Sequence, residues 1–137
     1  MAKKIGAFGQ LEYWLLDNGI LSIQAKGEKT GELTLSEVEY AIQVQAELFK
    51  QNSDQKILIL ANLGTMSKLS AEARIFLKSD QGKQVNHSIK GNALVAPNLL
   101  GRMMGNMLMG ILKQEYPVKL FKTENQAIAW LLSLGEK

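Results

Sequence analysis

The chain contains no cysteine. That absence excludes a disulfide framework, a thiolate metal site and nucleophilic catalysis by cysteine, and it is consistent with a reducing compartment. Histidine occurs once, at His87, and aspartate three times, which leaves little material for acid/base or metal chemistry. Arginine occurs only at Arg74 and Arg102, so the bidentate forks that read phosphate or guanine are scarce. Charge of one sign is weak as well. The 16 Lys and Arg against 13 Asp and Glu give a net of +3 spread along the chain, short of the clustered field that a nucleic acid partner demands. No apolar run is long enough to span a bilayer, and residues 1–10 carry Lys3 and Lys4 but no signal-peptide core. The cytoplasm is the expected location. What is present is 46% hydrophobic residues over 137 positions, the material of one domain occupying residues 1–137.

The apolar patterns divide the chain into strands and helices. Residues 11–17 and 20–26 are short aliphatic and aromatic runs joined by Asp17-Asn18-Gly19, the turn chemistry of a hairpin. In the second run Leu21, Ile23 and Ala25 alternate with Ser22 and Gln24, which predicts one buried and one wet face. Thr34 and Glu37 have capping-box spacing, and Val38, Ala41, Ile42, Ala46 and Phe49 follow with helical period as far as Lys50. Ile57-Leu58-Ile59-Leu60 is an unbroken apolar run, expected at the centre of a sheet covered on both faces. Ser70 stands as N-cap to a helix over 71–79, with Glu72 in its first turn. Val85 and Ile89 suggest a short turn resting on the core, and residues 93–96 form a second buried strand before Pro97. A helix over 98–113, a strand over 116–121 and a helix introduced by Thr123 and Gln126 complete the chain near Gly135.

The predicted order is ββαβαβαβα, an α/β fold with a mixed five-stranded sheet, the antiparallel hairpin at one side and parallel strands beyond it. The opening hairpin, the run 57–60 leading into the loop before Ser70, and the ending Tyr116-Pro117-Val118-Lys119-Leu120-Phe121-Lys122-Thr123-Glu124 to Ala127-Ile128-Ala129-Trp130-Leu131 resemble bacterial proteins of the STAS, or SpoIIAA-like, superfamily. The resemblance covers residues 11–134. It implies a fold used for regulation through protein contacts, as in anti-sigma-factor antagonists, and shared in outline with Sec14-like lipid carriers. In that family the regulatory serine lies at the start of the helix after the central strand, within an Asp-Ser-Ser-Gly phrase. This chain has Leu69-Ser70-Ala71-Glu72-Ala73 there, so Ser70 falls nearest the family's aspartate and the phosphoacceptor position holds Ala71 or Glu72. Ser67, Lys68, Ser70 and Glu72 are therefore expected to form a partner-docking edge without a phosphorylation switch.

The helix over 98–113 is the second candidate. Leu99, Leu100, Met103, Met104, Met107, Leu108, Ile111 and Leu112 cover about twice the roughly 100° stripe that one buried face uses. Gly101 and Gly105 form a small-xxx-small pair suited to close approach of a second backbone, and methionine offers adaptable apolar surface. Leu100, Gly101, Met103, Met104, Gly105, Met107 and Leu108 are thus expected to form a dimer face or the wall of an apolar ligand site. His87 has neither a carboxylate nor a second histidine at ligand spacing, and Ser88 beside it lacks the glycines of a nucleophile elbow. Neither glycine cluster, 6–9 or 101–110, follows a strand as a phosphate-binding fingerprint does. No metal, no cofactor and no enzymatic activity are expected. The partners to expect are a protein, foremost a second copy of the chain, with a Sec14-like carrier or sensor of lipid or another apolar small molecule as the alternative.

Overall fold

The computed structural model describes residues 2–26, 31–53, 55–62, 64, 66, 68–112 and 115–135. Its main sheet has six strands in the order β1 (Lys3–Phe8), β2 (Leu11–Leu15), β3 (Leu21–Ala25), β5 (Ile57–Asn62), β7 (Ile89–Val95) and β8 (Val118–Phe121). β1, β2 and β3 pair antiparallel with one another in turn, and β3, β5, β7 and β8 are mutually parallel. A two-residue ladder of β4 (Glu32–Leu33) and β6 (Lys68–Leu69) stands apart from this sheet. The helices are α1 (Leu35–Gln51), α2 (Ala71–Lys78), α3 (Leu99–Leu112) and α4 (Glu124–Gly135), with one 3-10 turn at Asn86–Ser88.

The parallel half of the sheet and its helices follow the sequence pattern, and β5 is internal as its apolar run requires. The hairpin turn sets Gly19 at φ +85°, where its missing Cβ removes the steric cost. Three expectations need correction. The sheet has six strands, because Lys3–Phe8 pairs with Leu11–Leu15; this edge strand is exposed along most of its length and shows no apolar period. Its lysines blunt the free edge. The short strand β4, paired in parallel with β6, is absent from the predicted order. Ser22, expected to be wet, is buried because Trp14 and Leu60 flank it in the ladder.

The two faces of the sheet have separate cores. On one, Tyr13, Leu21, Ile59 and Leu94 pack with Val38 and Leu48 of α1, Ala73 of α2 and Met104 and Leu108 of α3. On the other, Ile20, Leu60, Ala93 and Val95 lie under Ala127 and Leu131 of α4. The capping box of α1 is present as expected, with Thr34 Oγ1 accepting from the Glu37 backbone N–H. Glu37 also binds far along the chain. Its buried carboxylate accepts from the backbone N–H of Gln10 at 2.6 Å and of Thr34 at 3.0 Å, and from the Gln10 side chain at 3.1 Å. One side chain thereby fastens the β1–β2 turn to the start of α1.

Candidate functional site

Parallel α/β sheets present their ligand and partner sites at the carboxyl ends of the strands. Here that end is tied by short polar contacts. Asn62 donates to Glu124 at 2.7 Å and accepts from the Gly64 backbone at 3.0 Å, while Asn98 donates to the Gly64 carbonyl at 3.3 Å and accepts from Gly101 N–H at 2.8 Å. The same end carries the loop into α2. Ser70 is buried, and its hydroxyl accepts from the Ala73 backbone N–H at 3.0 Å, which is the geometry of an N-cap. Its own N–H bonds the Leu33 carbonyl at 3.0 Å, anchoring the loop to the strand before α1. Lys68 and Glu72 are exposed beside it, and Ser67 lies outside the described residues. With its hydroxyl committed and hidden, Ser70 is expected to carry no phosphate in protein isolated from its host. Replacement by alanine should cost about 1 kcal/mol of unfolding free energy. Intact-mass measurement and urea unfolding check the two halves, and a stoichiometric phosphate on Ser70 would reverse the expectation.

Helix α3 turns its two sides to different surroundings. Gly101, Met104, Gly105 and Leu108 are buried. A Cβ on Gly101 would lie 3.1 Å from the Gly64 carbonyl oxygen, and one on Gly105 would lie 2.7 Å from Leu120 Cδ1. The two glycines therefore serve close approach within the chain and do not face a second copy, which corrects their expected role. Met104 is fully buried and belongs to the core, as does Leu108, so neither can form a dimer surface. The side chain of Leu100 is outside the description, and Met107 is half-buried with its sulfur 3.1 Å from an Arg74 guanidinium nitrogen, which joins α3 to α2. The opposite side of α3 carries Leu99, 66% exposed, and Met103, 59% exposed. Asn106 and Gly110 continue that exposed line. Leu99, Met103, Asn106 and Gly110 are spaced 4, 3 and 4 residues apart, the spacing of a helix seam, and none bears a charge. On α2, Ile75 is 70% exposed.

Between α1, α3 and the sheet lies a cavity of about 120 Å³. It is lined mainly by aliphatic side chains, among them Ile23, Val38, Leu94 and Leu108, together with the polar residues Gln45, Asn92 and Tyr116. Asn92 is buried and its Oδ1 has no hydrogen-bond partner. Burial pushes the Tyr116 hydroxyl up to about 12, and a hydrogen bond with Asn92 opposes part of that shift. Of these residues, sequence patterns marked only Leu108 as a site candidate, within the expected dimer face or apolar-ligand wall. The one available signal was an asparagine directly before the apolar run 93–96, where a polar amide enters a buried strand.

His87 is exposed and packs edge-on to Phe49 with ring centroids 5.4 Å apart. Among the described residues no group of three or more His, Asp or Glu stands close enough to hold a metal ion, and no helix is long and apolar enough to cross a membrane.

This arrangement, a sheet opening with antiparallel strands and continuing in parallel ones under helices on both faces, is the SpoIIAA-like fold. The crystal structure of an uncharacterized protein from the DUF3478 family, with a SpoIIAA-like fold, from Shewanella loihica PV-4 superposes with a TM-score of 0.61. The match covers 96% of this chain and 92% of that one at 16% sequence identity. Residues 13–134 match the model of a domain of unknown function, DUF7793, and the chain belongs to that family. No curated protein matches the chain.

Proposed function

We propose that this chain is a cytoplasmic, non-catalytic regulatory module that acts through protein contacts, and that its first partner is a second copy of itself, docked along the exposed side of α3. The observation that carries this is the uncharged line Leu99, Met103, Asn106 and Gly110. Two such lines are mutually complementary across a twofold axis, since neither presents a charge that the other would leave unpaired. Nothing stands within 4 Å of a Cβ placed on Gly110, so this glycine offers the close approach that Gly101 and Gly105 use internally. Apolar side chains as open as Leu99 and Met103 gain most from being covered when they adjoin one another. The neighbouring start of α2, with Lys68 and Glu72 exposed, is the edge at which a further protein partner would dock. An acyl-chain carrier has weaker support, because a cavity of about 120 Å³ is well below the 300 Å³ or more of ordinary ligand pockets.

Met103→Glu places a charge in the middle of the line without touching the core. Wild type is expected to sediment as a dimer at micromolar concentration and the variant as a monomer, with unfolding free energies within about 0.5 kcal/mol of each other as for an exposed position. A wild type that stays monomeric at high concentration, or a variant that remains dimeric, would sink self-association through α3.

A further inference from the structure

We propose that the cavity beneath α1 and α3 is a binding site for a small neutral molecule of ring size carrying one hydroxyl, phenol-like in shape and polarity. The site is separate from the docking line, since Leu108 faces the cavity while Leu99 and Met103 face outward from the other side of the same helix. Its failure would leave self-association standing, and the reverse is also true.

Volume sets the size of the occupant. Protein interiors seldom leave voids much larger than a water molecule, and an apolar cavity of about 150 Å³ takes up benzene. At about 120 Å³ this one fits a single ring or a chain of similar bulk, and no long acyl chain. Lining chemistry sets the polarity. Aliphatic side chains form most of the wall, which favours an apolar body. Asn92 Oδ1 is a buried acceptor without a donor, and a ligand hydroxyl supplies the missing proton. Charge sets the rest. Among the described lining residues Glu37 alone is charged, and its carboxylate is already held by Thr34 and Gln10. A carboxylate or phosphate ligand would meet no cation there and one negative charge, so the occupant is neutral.

The experiment titrates methyl-labelled protein with phenol and, separately, with toluene, following the methyl resonances of Leu94 and Leu108 by NMR. Saturable shifts at these methyls are expected for both, with phenol bound about tenfold more tightly, the value of one hydrogen bond. Asn92→Leu is expected to erase the preference for phenol, and Ala41→Leu, which fills the cavity from α1, to abolish both titrations. Absence of saturable shifts at Leu94 and Leu108 in wild type, or shifts confined to other methyls, overturns the site. Toluene bound as tightly as phenol overturns the role of Asn92 and the hydroxyl. Should either variant fail to fold, the wild-type localisation and the phenol-to-toluene ratio decide alone.

Discussion

Replacing Ile59 with alanine is expected to lower the unfolding free energy by about 2–5 kcal/mol, the range for deleting a large aliphatic side chain from a closed core. Ile59 has no exposed surface and sits in the fourth of six strands, with Leu21 beside it on β3 and Asn92 on β7. Strands on both sides and helices above leave little room for collapse around the lost atoms, so the cavity term persists. Leu58, one residue earlier, points to the other face and is only half-buried against the cluster beneath α4. Its alanine variant should lose less. Urea unfolding of the two variants measures the contrast, and a loss at Ile59 no greater than at an exposed position would place this strand at an edge.

The second large effect is expected at Glu37. Its alanine variant removes the acceptor for two backbone N–H groups, of Gln10 and Thr34, and for the side chains of both residues. Charge-assisted bonds contribute about 1.5–3 kcal/mol each and orphaned donors add their desolvation cost, so a total loss of about 2–4 kcal/mol is expected after relaxation. The pH dependence has a definite sign. Burial acts to raise the Glu37 pKa, but the hydrogen bonds from Thr34 and Gln10 outweigh it and hold the group below its ordinary 4.5. A carboxyl group whose pKa is depressed by folding stabilises the native state fully above the unfolded value, and loses that contribution as pH falls through the folded one. Wild-type stability should therefore decline in acid from about pH 4.5 downward. Glu37→Gln, which cannot ionise, should start lower and converge on wild type there. A stability gap that stays constant between neutral and acidic pH would show that the ionised carboxylate is not what holds the β1–β2 turn to α1.

The role of Glu37 also marks the boundary of what the sequence discloses. Its partnership with Thr34 is visible as a three-residue spacing, because a helix start imposes local geometry. Its bond to Gln10, 27 positions away, arises only when the strand order brings the first turn over the start of α1. The same division separates the strands. β5 and the parallel succession after it are legible because strands buried on both faces must be continuously apolar. β1 is not, because an exposed edge strand needs only backbone pairing and imposes no side-chain period. The N-cap at Ser70 was readable for the reason that the cap of α1 was.

Helix α3 shows both halves in one element. Its surplus of apolar residues is a property of the sequence, and so is the scarcity of cysteine, histidine and arginine that turns attention away from catalysis. Which of those residues are free is not. Gly101, Met104, Gly105 and Leu108 face inward, and Leu99 and Met103 outward, because the helix is rotated to let Gly105 pass close to Leu120 on β8 and Gly101 close to Gly64. The cavity at Asn92 belongs wholly to the tertiary structure, since its walls come from the sheet, α1, α3 and the segment around Val85. Periodicity along one chain records which side of each element is apolar. Where the apolar sides of several elements meet without filling the space between them depends on their separations and rotations, which only the assembled packing decides.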